Sequence, residues 1–177
     1  MIIAFDYGEK RIGVAVSNET QRYAIALKYI SNNIPLKSPN RNKKNIQVSN
    51  TTTQGTQSLR STARLEKQKL FNKMLHYINY YYPEKIIVGI PKIIDPQTKQ
   101  ITEGRQAKVI RRFFASFNKF LVSKKIFCPI EYVDETLTSQ IAIHNLKGMN
   151  LSRKNIIKNA DSESARILLQ EYLDKLR

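Results

Sequence analysis

The first seventeen residues constrain this chain most. Ile2-Ile3-Ala4-Phe5 is an unbroken apolar run, the pattern of a strand covered on both faces. Asp6 follows at once, then Tyr7-Gly8, the turn residues Glu9-Lys10-Arg11, and a second run, Ile12-Gly13-Val14-Ala15-Val16-Ser17. Two β-rich runs joined by so few residues, with Gly8 at the turn, predict a hairpin. A carboxylate at the end of a buried central strand costs free energy unless a cation meets it. That cation could be Lys10, Arg11 or a bound metal. The plainer alternative is that Asp6 accepts hydrogen bonds from the turn.

Charge narrows the partner. The chain carries 30 Lys and Arg against 14 Asp and Glu, a net +16. Each phosphate neutralised by such a surface releases condensed counterions, so a nucleic acid is the expected partner. A biased base composition would enrich Lys but would not remove acids. The 177 residues, 41% of them hydrophobic, suffice for a single domain spanning 1–177. No run is long and apolar enough to cross a bilayer, so no membrane partner is expected. A strand starting at residue 2 leaves no room for a signal or transit peptide. One cysteine, Cys128, gives no disulfide framework, and with only His76 and His144 beside it no soft-ligand zinc site forms. A metal would have to be held by oxygen. These features fit a cytoplasmic protein.

Further along, Tyr23–Ile30 alternates as a third strand, suited to a sheet edge. Residues 37–64 are rich in Ser, Thr, Asn, Gln and Lys. They offer little apolar surface to offset ordering, so they are read as a mobile, basic low-complexity insertion. Leu70, Phe71, Met74, Leu75, Ile78, Tyr81 and Tyr82 recur at helical spacing before Pro83. Tyr80-Tyr81-Tyr82 could stack on bases, but core packing at the helix end is the favoured use. Lys85–Ile90 is a buried strand, followed by a loop containing Asp95-Pro96. Thr102 is a plausible cap for a helix along Val109, Ile110, Phe113, Phe114, Phe117 and Leu121, with Arg105 in its first turns. Ile130–Val133 is a fifth strand, Thr138–Leu146 a short helix, and Asp161 opens the last helix. The order predicts an α/β fold, a five-stranded mixed sheet with helices on both faces.

Acids stand at three element boundaries: Asp6, the pair Asp134-Glu135, and Asp161. If the first, fourth and fifth strands run parallel, Asp6 and Asp134-Glu135 lie at one edge, where ligands of open α/β sheets bind. Asp161 reaches that edge if its helix crosses near the first strand, and Ser162, Ser164 and Ala165 are small enough to allow it. Converging carboxylates repel unless divalent cations occupy the gap. Oxygen ligands with open positions suit Mg²⁺ or Mn²⁺, which can activate water for phosphodiester hydrolysis. Singly, Asp161 could be a cap, Asp134 a turn former and Asp6 a hydrogen-bond acceptor. With the charge, the joint metal reading is the stronger.

The run FDYGEKRIGVAVS resembles the opening of the YqgF/RuvX family, Holliday junction resolvase-like nucleases also described as pre-16S rRNA nucleases. KIIVGIP, YVDETLTS and KNADSESARILLQEYL resemble three further motifs of that family in the same order. The resemblance implies an RNase H-like fold and a metal-dependent endonuclease acting on precursor rRNA or branched DNA. By motif position it implies Asp6, Glu135 and Asp161 as catalytic, metal-binding acids, with Asp134 in support. Lys10, Arg11, Arg105 and Lys158 are the basic residues expected to hold substrate. Two departures fall near the expected substrate edge. Thr136 stands where the family usually has Arg, and Lys92-Ile93-Ile94-Asp95-Pro96 replaces Leu-Asn-Xaa-Asp-Gly. Two rivals remain at this point. An ATP-binding fold of the actin type would need a second copy of the unit, and no phosphate-binding glycine loop is present. A non-catalytic RNA-binding assembly factor keeps the charge but leaves the acids without a task.

Overall fold

The computed structural model describes the backbone of residues 1–34, 53–94, 97–135 and 153–177, with side chains for 1–34, 62–93, 97–135 and 161–177. The opening hairpin forms as expected. β1 (Ile2–Tyr7) pairs antiparallel with β2 (Arg11–Ser17), and the Gly8 N–H donates to the Arg11 carbonyl at 2.9 Å across the turn. β3 (Ala24–Ser31) extends the meander antiparallel and is the sheet's edge. α1 (Thr53–Tyr81) then carries the chain to β4 (Lys85–Ile90), which runs parallel to β1. A two-stranded hairpin, β5 (Lys92–Ile94) and β6 (Ile101–Glu103), precedes α2 (Arg105–Ser123). β7 (Ile130–Asp134) pairs parallel with β4, and α3 (Arg153–Asp174) follows. The sheet order β3-β2-β1-β4-β7 puts β1 in the middle of a five-stranded mixed sheet.

Strand periodicity divides the side chains between two layers. Ile3, Phe5 and Tyr7 of β1 join Leu70, Phe71, Met74 and Ile78 of α1 and Phe113, Phe114 and Phe117 of α2 in one core. Ile2 and Ala4 point the other way, onto Ala165, Leu168, Leu169, Tyr172 and Leu173 of α3. Helices therefore cover both faces. Because β1, β4 and β7 are parallel, their carboxyl ends share one edge, and Asp6 lies there.

Five expectations change. Residues 53–64 are helical, forming the first turns of α1, and residues 37–52 of the expected insertion lie outside the described residues. A polar segment with no proline can propagate a helix nucleated by packed residues such as Leu70 and Met74. The loop after Pro91 contains β5 and β6, whose exposed residues give no burial pattern to read; Asp95 and Pro96 lie outside the described residues. Thr102 belongs to β6, and the residue before α2 is Gly104, with no side-chain cap. Asp161 is not a cap: α3 begins at Arg153, about two turns earlier. The polar, basic run 153–160 hid that start. Finally, Tyr80 is 68% exposed and Tyr82 83%, so the tyrosine cluster is mainly surface. The expected helix Thr138–Leu146 and Thr136 lie outside the described residues.

Candidate active site

Asp6 pairs in register with Gly13 of β2. One position beyond the parallel pair Phe5–Val88 comes Gly89 of β4. The row Gly13–Asp6–Gly89 thus has one carboxylate flanked by two missing side chains on the α3 face. A Cβ on Gly13 would collide with the Asp161 carbonyl oxygen and lie 3.3 Å from the Ala165 Cβ. α3 therefore rests directly on the β2 backbone, which brings Asp161 to the end of β1. A Cβ on Gly89 would collide with the Glu135 carboxylate, so that carboxylate occupies the space the glycine leaves.

Alternation along β7 sorts its two terminal acids. Val133 packs on the α3 side, whereas Asp134, opposite Ile90, is directed to the other side and pairs with Lys92 at 3.1 Å. Glu135 returns to the α3 side, with its N–H donating to the Ile90 carbonyl at 3.2 Å. Glu135 thus meets Asp6, and Asp134 does not. The Asp134–Lys92 pair ties β7 to the β5–β6 hairpin.

Electrostatics bind the acids together. Loss of water around Asp6 pushes its carboxyl well above the usual range, and the negative charge of Glu135, a hydrogen bond with Glu135 and the charge of Asp161 push it further. Two carboxyls can share a hydrogen bond only if one holds a proton. Asp161 is also raised by desolvation, against the lowering effect of Arg11, whose guanidinium lies 3.3 Å from its carboxylate. Arg11 in turn stacks over Tyr29, 4.7 Å from the ring centroid.

Of the expected substrate contacts, Arg11 is at the acids. Lys10 is exposed in the β1–β2 turn, and Arg105 is exposed where α2 begins, beyond the carboxyl end of β4. The Lys158 side chain lies outside the described residues. Sequence reasoning missed Gly13 and Gly89 as parts of the site. A glycine inside an apolar strand run is the signal for close approach, and both carry it.

A family model described as RuvX, Holliday junction resolvase, matches residues 43–175. The chain belongs to the RuvX family. A relative from Burkholderia lata named "Putative pre-16S rRNA nuclease" is 30% identical over 175 residues, covering 99% of this chain and 89% of the relative. One of the same name from Chloroflexus aurantiacus is 28% identical, covering 100% and 88%. The structure of T. thermophilus RuvC in complex with a Holliday junction substrate is similar at a TM-score of 0.47 and 10% identity, over 99% of this chain and 96% of that one. That likeness is too loose to bear on chemistry. RuvX membership places the chain among nucleases, the class the four motifs implied.

Among the described residues no group of three or more acidic, His or Cys side chains is placed to hold a metal ion. The donor set nevertheless fits a hard divalent cation. Mg²⁺ typically takes one or two carboxylates and completes its shell with water and substrate phosphate. Asp6 and Glu135, joined by a hydrogen bond, are such a pair. No helix among the described residues is long and apolar enough to cross a membrane.

Proposed function

We propose that the chain is a divalent-metal-dependent endonuclease whose catalytic acids are Asp6, Glu135 and Asp161. The observation that carries this reading is the convergence of three acids, Asp6, Glu135 over Gly89 and Asp161 over Gly13, at the carboxyl edge of a protein of net charge +16. Keeping acids together in a poorly hydrated site costs stability, and a bound cation relieves that cost. Asp6 and Glu135 would hold Mg²⁺ or Mn²⁺, with Asp161 as the third carboxylate. Such a cation supplies a nucleophilic water and neutralises charge on the phosphodiester. The chain's own residues set the rest. Gly13 and Gly89 let α3 and Glu135 lie against β1, and Arg11 restrains Asp161. Exposed Lys10 and Arg105 flank the site as further phosphate contacts.

The proposed substrate is a structured nucleic acid, precursor 16S rRNA for preference because the curated relatives bear that name. Four-way DNA is the alternative drawn from the family description. Both labelled substrates, incubated with Mg²⁺, Mn²⁺ or EDTA, test the proposal. Cleavage of the rRNA precursor with either metal and none in EDTA is expected. Equal cleavage in EDTA would remove the metal. Tight RNA binding with no cleavage of either substrate would favour the assembly-factor reading.

A further inference from the structure

Beyond the acids, a basic and aromatic groove runs away from the site between β3 and α1. One cavity of about 370 Å³ is lined by Lys28, Tyr29 and Ser31 of β3 and by Lys73, His76 and Tyr77 of α1. A second, of about 290 Å³, is lined by Glu66, Lys69, Leu70 and Lys73 on one side and Ser31 and Asn33 on the other, with Lys69 paired to Glu66 at 2.8 Å. The two share Ser31 and Lys73 and so form one trough. Lys69, Lys73, His76 and Tyr80 recur at helical spacing, a stripe about 16 Å long at 1.5 Å per residue. Its rings continue: His76 and Tyr80 centroids are 6.5 Å apart, and Tyr80 and Tyr81 are 4.8 Å apart.

The trough lies on the α1 side of the sheet, and its link to the acids on the α3 side runs around the edge strand β3. The β2–β3 register shifts between Ile12 and Val14, so Lys28 and Tyr29 together oppose Gly13 alone. Such a bulge re-aims side chains, and bulges are common beside active sites. Here Tyr29 lies under the Arg11 guanidinium, which holds Asp161. The Tyr77 hydroxyl donates to the Lys28 carbonyl at 2.7 Å, tying the bulged strand to α1. Cations spaced along a narrow trough track a phosphate backbone, and rings beside them accept base faces. A duplex keeps its bases paired and stacked, so only an unpaired strand offers base faces to these rings.

We propose that this trough is the path of a single-stranded nucleic acid segment flanking the cleaved phosphate, with Tyr29 as the first stacking surface beyond Arg11. The inference deepens the nuclease reading and rests on it for the word "flanking", but its test reads binding alone. A fluorescent twelve-nucleotide single-stranded RNA and a blunt RNA duplex of the same sequence are titrated in EDTA with wild type and variants. Lys69→Ala/Lys73→Ala should weaken single-strand binding and reduce the salt slope by about 0.7, for the one phosphate that Lys73 no longer neutralises, since Lys69 is paired with Glu66. Tyr29→Ala should weaken it about tenfold, while Tyr29→Phe, which keeps the ring, should bind as wild type. Duplex binding should change less than single-strand binding in every case. Circular dichroism confirms that each variant is folded; the lysine pair is on the surface, so it stays informative if Tyr29→Ala unfolds. Unchanged single-strand binding in the lysine variant, or equal losses for single strand and duplex, would overturn the path. The titration contains no metal and reads no cleavage, so failure of the metal reading leaves this result standing.

Discussion

On the α1–α2 side of the sheet, Phe5, Phe71, Phe113, Phe114 and Phe117 pack with neighbouring ring centroids 5.2 to 6.4 Å apart. On the α3 side no aromatic ring comes from the described strands, and Ala4, Gly13, Ala15 and Ala24 lie there with Ile2 and Ile87. The contrast separates two tasks. Large rings bury much apolar area, each worth about 1.5–3 kcal/mol when fully buried, and they hold the helices off the sheet. Small residues contribute less area but let a helix backbone reach the strands, which is how Asp161 arrives beside Asp6. One face supplies stability and the other supplies proximity. Substitutions on the two faces should therefore fail in different ways.

The largest effect expected is on the small-residue face and on activity. Asp6→Asn keeps the shape of the side chain but removes the charge that would attract a cation, so cleavage of labelled precursor rRNA should fall by several orders of magnitude. Binding of the same RNA in EDTA should persist, because the cations that hold phosphate are untouched. A variant that cuts at near wild-type rate would break the assignment of chemistry to this face.

Next comes the aromatic face and stability. Phe114→Ala empties a fully buried site flanked by Phe5, Tyr7 and Phe117, and should cost about 3–5 kcal/mol in denaturant unfolding. The acids lie across the sheet, so the folded fraction should still cleave. The glycine pair sharpens the comparison further. At Gly13 the obstacle is α3 backbone, which cannot swing aside, so Gly13→Ala should destabilise by about 1–3 kcal/mol. At Gly89 the first obstacle is the end of the Glu135 side chain, which can move. Gly89→Ala should therefore cost less stability than Gly13→Ala and still lower cleavage by displacing Glu135. Thermal melts and cleavage rates on both variants distinguish the two outcomes.

Much of this division was legible in the chain. The hairpin around Gly8, the apolar runs of β1 and β4 and the helical stripe of α2 each repeat a burial period that sequence displays directly. The acids were legible because a carboxylate ending an apolar run is costly and so conspicuous. What sequence hid has a common cause: elements whose residues face solvent carry no burial period. β6 is exposed throughout, and the start of α3 is a polar, basic run. Asp161 consequently read as a helix cap when it sits inside a helix. The partition of Asp134 from Glu135 needed the β7 register, since adjacent acids look alike until strand alternation sends one to Lys92 and the other to Asp6.

The smallest effect expected is in the stability of the metal-free protein, and its sign is diagnostic. Burial, Glu135 and Asp161 raise the folded-state Asp6 carboxyl above its unfolded value, taken as the ordinary 3.8. The folded protein therefore holds a proton that the unfolded chain gives up more readily. That contribution is fully present below about pH 4 and is lost as pH rises through the folded-state value. Asn carries no titrating proton, so Asp6→Asn should match wild type near pH 4 and become the more stable of the two as pH rises. Asp161, raised by burial but opposed by Arg11, is present in both proteins and adds to the difference through its charge on Asp6. Saturating Mg²⁺ should reverse the order at neutral pH. Wild type would exchange the shared proton for the cation and gain RT ln(1 + [Mg²⁺]/Kd), about 2.7 kcal/mol at one hundred times Kd. Asp6→Asn, with a weakened site, should gain much less. Urea melts of both proteins at several pH values, with Mg²⁺ or EDTA, read this directly. Wild type that stays ahead at neutral pH in EDTA would show the acids to be a stabilising network, and the small-residue face would then hold structure where we place chemistry.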